Sequence, residues 1–92
     1  MIPTTINRVP VDSASLASIG YAAEEGILEV EFRSGDIYRF FLVPLAVWHE
    51  LLASDSKGAY FNHHVRNSYP HSTVANEAED TLTRDLERSL MR

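Results

Sequence analysis

Ile37 to Tyr69 reads IYRFFLVPLAVWHELLASDSKGAYFNHHVRNSY. The order of this stretch decides the fold: an alternating segment ends at Val43-Pro44, an amphipathic helix follows, and Ser56-Lys57-Gly58 opens a second, aromatic-rich helix. Pro44 cannot donate to a sheet ladder but is tolerated in the first turn of a helix, so the chain switches from strand to helix there. The first helix runs to about Ala53, with Leu45, Trp48 and Leu52 at i, i+3 and i+7 and Leu51 beside them, a stripe suited to covering a sheet. Ser54, Asp55 and Ser56 offer cap oxygens to the second helix, which spaces Gly58, Phe61, Val65 and Tyr69 along one side until Pro70 ends it.

Upstream, three segments read as strands: Ala17 to Ala22, Ile27 to Arg33 and Ile37 to Leu42. In the middle one Leu28, Val30 and Phe32 alternate with Glu29, Glu31 and Arg33, the pattern of a sheet with one wet face. A four-residue Ala23–Gly26 loop sets Tyr21 opposite Leu28 and Ile19 opposite Val30, with Gly26 taking the positive-φ position. A three-residue Ser34-Gly35-Asp36 loop sets Phe32 opposite Tyr38 and Val30 opposite Phe40 on the apolar face, and Glu31 across from Arg39 on the other. From about Thr73 the character changes to a polar helix carrying Ala78, Leu82, Leu86 and Leu90, whose thin stripe must pack on its own domain or on a second copy. Ile37 and Phe41, on the outer sheet face, give it a landing site.

The expected fold is therefore α+β: a three-stranded antiparallel β-meander covered by two α-helices, plus a C-terminal amphipathic helix. Residues 1–10 read as an N-terminal extension, 11–72 as the domain and 73–92 as the terminal helix. At 92 residues the core is small and a large catalytic cleft is not expected. With no cysteine there is no disulfide, thiolate metal site or thiol nucleophile. No run reaches the ~18 to 20 apolar residues of a bilayer span, and the start lacks the basic and apolar regions of a signal peptide, so the expectation is a cytoplasmic protein away from membranes. The net charge of −5 opposes strong nonspecific nucleic-acid binding. Yet Ser56 to Asn76 holds no carboxylate while carrying Lys57 and Arg66, so an anion site is expected in that window.

Val11 to Tyr69 resembles the KTSC domain, a short module named for the carboxy terminus of some lysyl-tRNA synthetases. The resemblance rests on Ser15, Ile19-Gly20-Tyr21, Leu28-x-Val30-x-Phe32, Gly35, Tyr38, Val43-Pro44, Ser56-Lys57-Gly58, Tyr60-Phe61-Asn62, Val65-Arg66 and Tyr69. This chain departs from the family's central Tyr-x-Tyr, reading Tyr38-Arg39-Phe40. The resemblance implies RNA binding only through the family's attachment to a synthetase, and fold alone does not establish function.

The residues themselves leave alternatives at each candidate site. Tyr38 and Phe40 fit a base-stacking platform, but the register puts them on the apolar stripe and favours core. Ser56, Lys57 and Gly58 at a helix start suit a phosphate or carboxylate, whereas the same residues also describe a capped helix whose glycine lets it pack closely. Asn62 and Arg66, one turn apart, could grip a phosphate or base edge, or tie loops together. His63 and His64 are neighbours that cannot share one metal, and His49 and His71 do not complete a ligand spacing. No catalytic motif, metal site or cofactor is expected. The sequence favours a noncatalytic module that binds RNA, tRNA included, through Ser56, Lys57, Gly58, Asn62, Arg66 and Tyr38. The alternative is a protein-interaction or homo-oligomerisation module using residues 74–92 and the outer sheet face.

Overall fold

The computed structural model describes residues 5–74. They form an α+β domain: a five-stranded antiparallel meander, β1 Val9–Pro10, β2 Leu16–Ala22, β3 Ile27–Phe32, β4 Ile37–Phe40 and β5 His71–Val74, with α1 Leu45–Ala53 and α2 Lys57–His64 between the last two strands. The three expected strands and both helices are present, and two short edge strands widen the sheet. β1 lies in what the sequence gives as an extension. β5 takes up Thr73 and Val74, where the terminal helix was expected to begin; residues 75–92, and with them the rest of that helix and its proposed interface, lie outside the described residues.

The first hairpin has the expected register, Tyr21 opposite Leu28 and Ile19 opposite Val30, with Gly26 at φ 68°. The second hairpin differs by two residues: Val30 faces Tyr38, Leu28 faces Phe40 and Glu29 faces Arg39. Gly35 is the reason. A three-residue hairpin closes with its last loop residue in the left-handed region, and Gly35, at φ 97°, is the residue that adopts it. The loop is thus Arg33-Ser34-Gly35, and the Phe32 amide donates to the Asp36 carbonyl at 2.9 Å. A two-residue shift keeps every side chain on its expected face.

On the inner face Leu16, Ile19, Leu28, Val30, Phe40, Val43, Leu51, Phe61 and Val65 form the core, each at most 2 % exposed. Leu16 reaches it through a β-bulge between Leu16 and Ser18, which turns Leu16 inward while Ser18 faces out. The face that α1 buries is turned from the expected one: Trp48 packs against the core as expected, with Leu51 buried and Val47 beside it, while Leu45 and Leu52 are 49 % and 39 % exposed. The Tyr21 ring fixes this orientation by stacking on Trp48 at 5.6 Å, and its hydroxyl donates to the Val43 carbonyl at 2.5 Å. Between β4 and α1 the chain reverses at Leu42, whose φ of 62° is unusual for a branched side chain and which stands 76 % exposed. α2 stops at His64, short of the expected Tyr69: Val65 is its C-cap, donating its amide to the Phe61 carbonyl, and the chain turns on through Ser68.

The outer face is not simply wet. Glu29 is 3 % exposed and accepts from Arg8 Nη1 at 2.5 Å and from Arg39 Nε at 2.8 Å. Arg8 Nε also donates to Ser18, whose hydroxyl donates on to Glu31. Glycine at position 20 permits this arrangement, since a Cβ there would collide with the Asn7 carbonyl and touch the Arg8 side chain. Arg8, before β1, is therefore tied to the sheet, because it pairs with a carboxylate the sheet has buried. Replacing Arg8 with Ala should lower unfolding stability by about 2 kcal/mol in urea titration, the scale of a lost partner to a buried charge. An exposed, dispensable extension would show no change.

Candidate functional site

Two clefts flank α2. The larger, about 440 Å³, lies between α2 and the β3–β4–β5 end of the sheet. Its floor is aromatic: Phe32, Phe40 and Phe61 meet edge to face, with Phe61 centred 5.5 Å from Phe32 and 5.2 Å from Phe40. Tyr38 is half-buried on this floor, edge-on to Phe32 at 5.6 Å, and the exposed His71 ring tilts against Tyr38 and Phe40 at 5.8 and 5.3 Å. Asn62, Arg66 and Asn67 line it from α2 and the turn after it, Asp36 from the hairpin and Ser15 from the loop before β2. Arg66 is exposed, and its side chain has no hydrogen bond or ion pair among the described residues. Such a surface can stack a planar ring and offer amide and guanidinium donors to its edges.

The second cleft, about 380 Å³, surrounds the start of α2 and contains Ser56, Lys57 and Gly58. Here the close-packing role fits. A Cβ on Gly58 would sit 2.6 Å from Ser15 Oγ and 3.2 Å from Ser13 Oγ, so the missing side chain admits the serine loop. That loop is built for the position: Ser13 Oγ accepts from the Ser15 and Leu16 amides, and Arg33 donates to the Ser13 and Val11 carbonyls. Ser56 makes no side-chain cap bond, its amide instead donating to Ser54 Oγ at 3.2 Å. Lys57 Nζ donates to the Ser54 carbonyl at 3.0 Å. Asp12 and Asp55 line the same cleft, so its charge does not favour an anion.

The six residues singled out from sequence are thus divided. Tyr38, Asn62 and Arg66 share the aromatic groove, while Ser56, Lys57 and Gly58 belong to the second cleft, with Asn62 lining both. The acid-free window of the sequence is not acid-free in space, because Asp36 enters the groove from the β3–β4 hairpin. Sequence reasoning missed Asp36, Asn67, His71 and Ser15. For His71 the available signal was Pro70: its carbonyl accepts from the Phe41 amide at 2.8 Å and returns the chain to β4. His63 and His64 are exposed, as expected, and the His64 ring is tilted against Tyr60 at 4.6 Å.

The KTSC domain family model matches residues 12–69, and the chain belongs to that family. It is 51 % identical over 57 residues to an uncharacterised protein of Stutzerimonas stutzeri, covering 62 % of this chain and 80 % of that one. A lysine–tRNA ligase of Trichormus variabilis is 34 % identical over 55 residues, 60 % of this chain but 10 % of the ligase. Among solved structures, a KTSC domain protein from Yersinia pestis superposes with a TM-score of 0.75 at 27 % identity, covering 77 % of this chain and all of that one. No described helix is long and apolar enough to cross a membrane.

The groove keeps its shape only if α2 keeps its tilt, and a clamp to α1 serves this: the Tyr60 hydroxyl donates to Glu50 Oε2 at 2.5 Å. Desolvation, and then the Glu50 carboxylate, push the Tyr60 phenol up to about 12. A phenol held neutral above its ordinary value stabilises the folded state at pH below 10, and that contribution is lost as pH rises from 10 through about 12. Ultraviolet titration should show one late phenol absent from Tyr60→Phe, and the variant's stability should fall less steeply over that window.

Proposed function

We propose that the domain is a noncatalytic module that binds single-stranded RNA, tRNA among its targets, by stacking an unpaired base in the groove between the sheet and α2. The observation that carries this reading is the conjunction of a half-buried sheet tyrosine and an exposed histidine ring with Arg66 on the opposite wall, whose guanidinium has no partner among the described residues. Sequence-specific RNA recognition relies on aromatic side chains that accept splayed bases, with polar groups reading their edges. The match to a segment of a lysine–tRNA ligase supports tRNA as the polymer.

The cation that makes contact is Arg66 rather than Lys57, whose ammonium is engaged by the Ser54 carbonyl. With one phosphate contact and a net charge of −5, affinity comes from stacking, and the logarithmic salt slope should be shallow, about −0.7. Titrating tRNA at low salt should shift the amide resonances of Tyr38, Asn62, Arg66 and His71. Arg66→Ala should weaken binding about tenfold, as one charged hydrogen bond allows, and Lys57→Ala should leave it within about twofold. An unchanged spectrum at low salt would reject the reading, and equal losses from the two variants would move the contact to the second cleft.

A further inference from the structure

Resting on that reading, we propose that Asp36 accepts a hydrogen bond from a ribose 2′-hydroxyl, so that the groove distinguishes RNA from DNA. A carboxylate is the wrong group to place where a polyanion must lie. Asp36 is nonetheless fixed there: its backbone carbonyl accepts from the Phe32 amide at 2.9 Å, and Ser34 Oγ donates to its Oδ2 at 3.1 Å. Its other oxygen has no partner among the described residues, and the side chain is exposed at the groove. An ionised carboxylate only accepts, so a ligand tolerated beside it must present donors. Phosphate oxygens and unprotonated ring nitrogens present none, whereas the 2′-hydroxyl of a ribose donates and is the group DNA lacks. Arg66, lining the same groove, is left for the phosphate. An exocyclic base amine would also donate, but it is common to both polymers and gives no sugar preference.

Electrostatics and the 2′-hydroxyl contact predict opposite signs for one substitution. If Asp36 merely repels the backbone, Asp36→Ala strengthens binding of every oligonucleotide. If it holds a ribose, Asp36→Ala weakens RNA and leaves DNA equal or stronger. The test measures an oligoadenylate and its deoxy counterpart by fluorescence anisotropy against the wild-type domain, Asp36→Ala and Ser34→Ala. The last removes the side-chain bond in the turn and keeps the carboxylate, so it controls for local structure. The expected result is a ribo preference of about tenfold in wild type and Ser34→Ala, the size of one charge-assisted hydrogen bond, which disappears in Asp36→Ala. Equal affinity for the two polymers, or a preference that survives Asp36→Ala, overturns the 2′-hydroxyl contact while leaving the RNA module standing. Binding of neither oligonucleotide overturns both.

Discussion

The position of α2 depends on Phe61. Its ring is 1 % exposed and sits edge-on to Phe32 from β3 and Phe40 from β4, so one side chain of an eight-residue helix is held by two neighbouring strands at once. A helix this short has little stability of its own, and its first turn carries no side-chain cap. Packing therefore determines where it lies. Gly58 sets the distance at one end by admitting the serine loop, Val65 closes the other, and the groove is the space left beside the line they define. The same rings that secure the helix form the groove floor, so the site cannot be reshaped without loosening the fold.

β4 links that groove to the opposite side of the sheet through its alternation. Tyr38 and Phe40 point toward α2, and Arg39 between them points to the buried Glu29, which Arg8 also engages. Sliding β4 by one residue would send a guanidinium into the aromatic core and two rings into the ionic network, a double penalty that holds the parity of the register. The departure from Tyr-x-Tyr is understandable in this setting. Phe40 is 2 % exposed against Phe61, where a phenol hydroxyl would need a buried partner, so the aromatic floor tolerates phenylalanine.

Much of this was legible from the order of residues, because alternation encodes faces. Leu28-Glu29-Val30-Glu31-Phe32 separated inside from outside, and Val43-Pro44 marked the switch to helix. Three things were not legible. The second hairpin slipped by two because both registers conserve the faces, and only the left-handed demand on Gly35 separates them. β1 and β5 are edge strands of two and four residues, one containing a proline, too short to show a period. And only half of the α1 stripe was legible, because Leu45, Trp48, Leu51 and Leu52 populate two adjacent stripes: Trp48 and Leu51 face the core, with Tyr21 stacking on Trp48 from another strand, and Leu45 and Leu52 stay exposed.

The candidate site shows the same limit in sharper form, since charge along a chain is not charge in space. Ser56 to Asn76 carries no acid, yet its Lys57 neighbours Asp55 and Asp12 in one cleft and its Arg66 shares the other with Asp36. A groove balanced in this way gains little from the long-range attraction that gathers phosphates. Its selectivity has to arise at short range, from ring faces and from hydrogen-bonding groups already fixed by the fold. Asp36 is fixed by the hairpin that Gly35 closes, His71 by its pairing with Phe40 in the sheet, and Asn62 by the helix that Phe61 holds down. Their mutual geometry is set by residues that never touch a ligand, and only the folded chain brings those residues together.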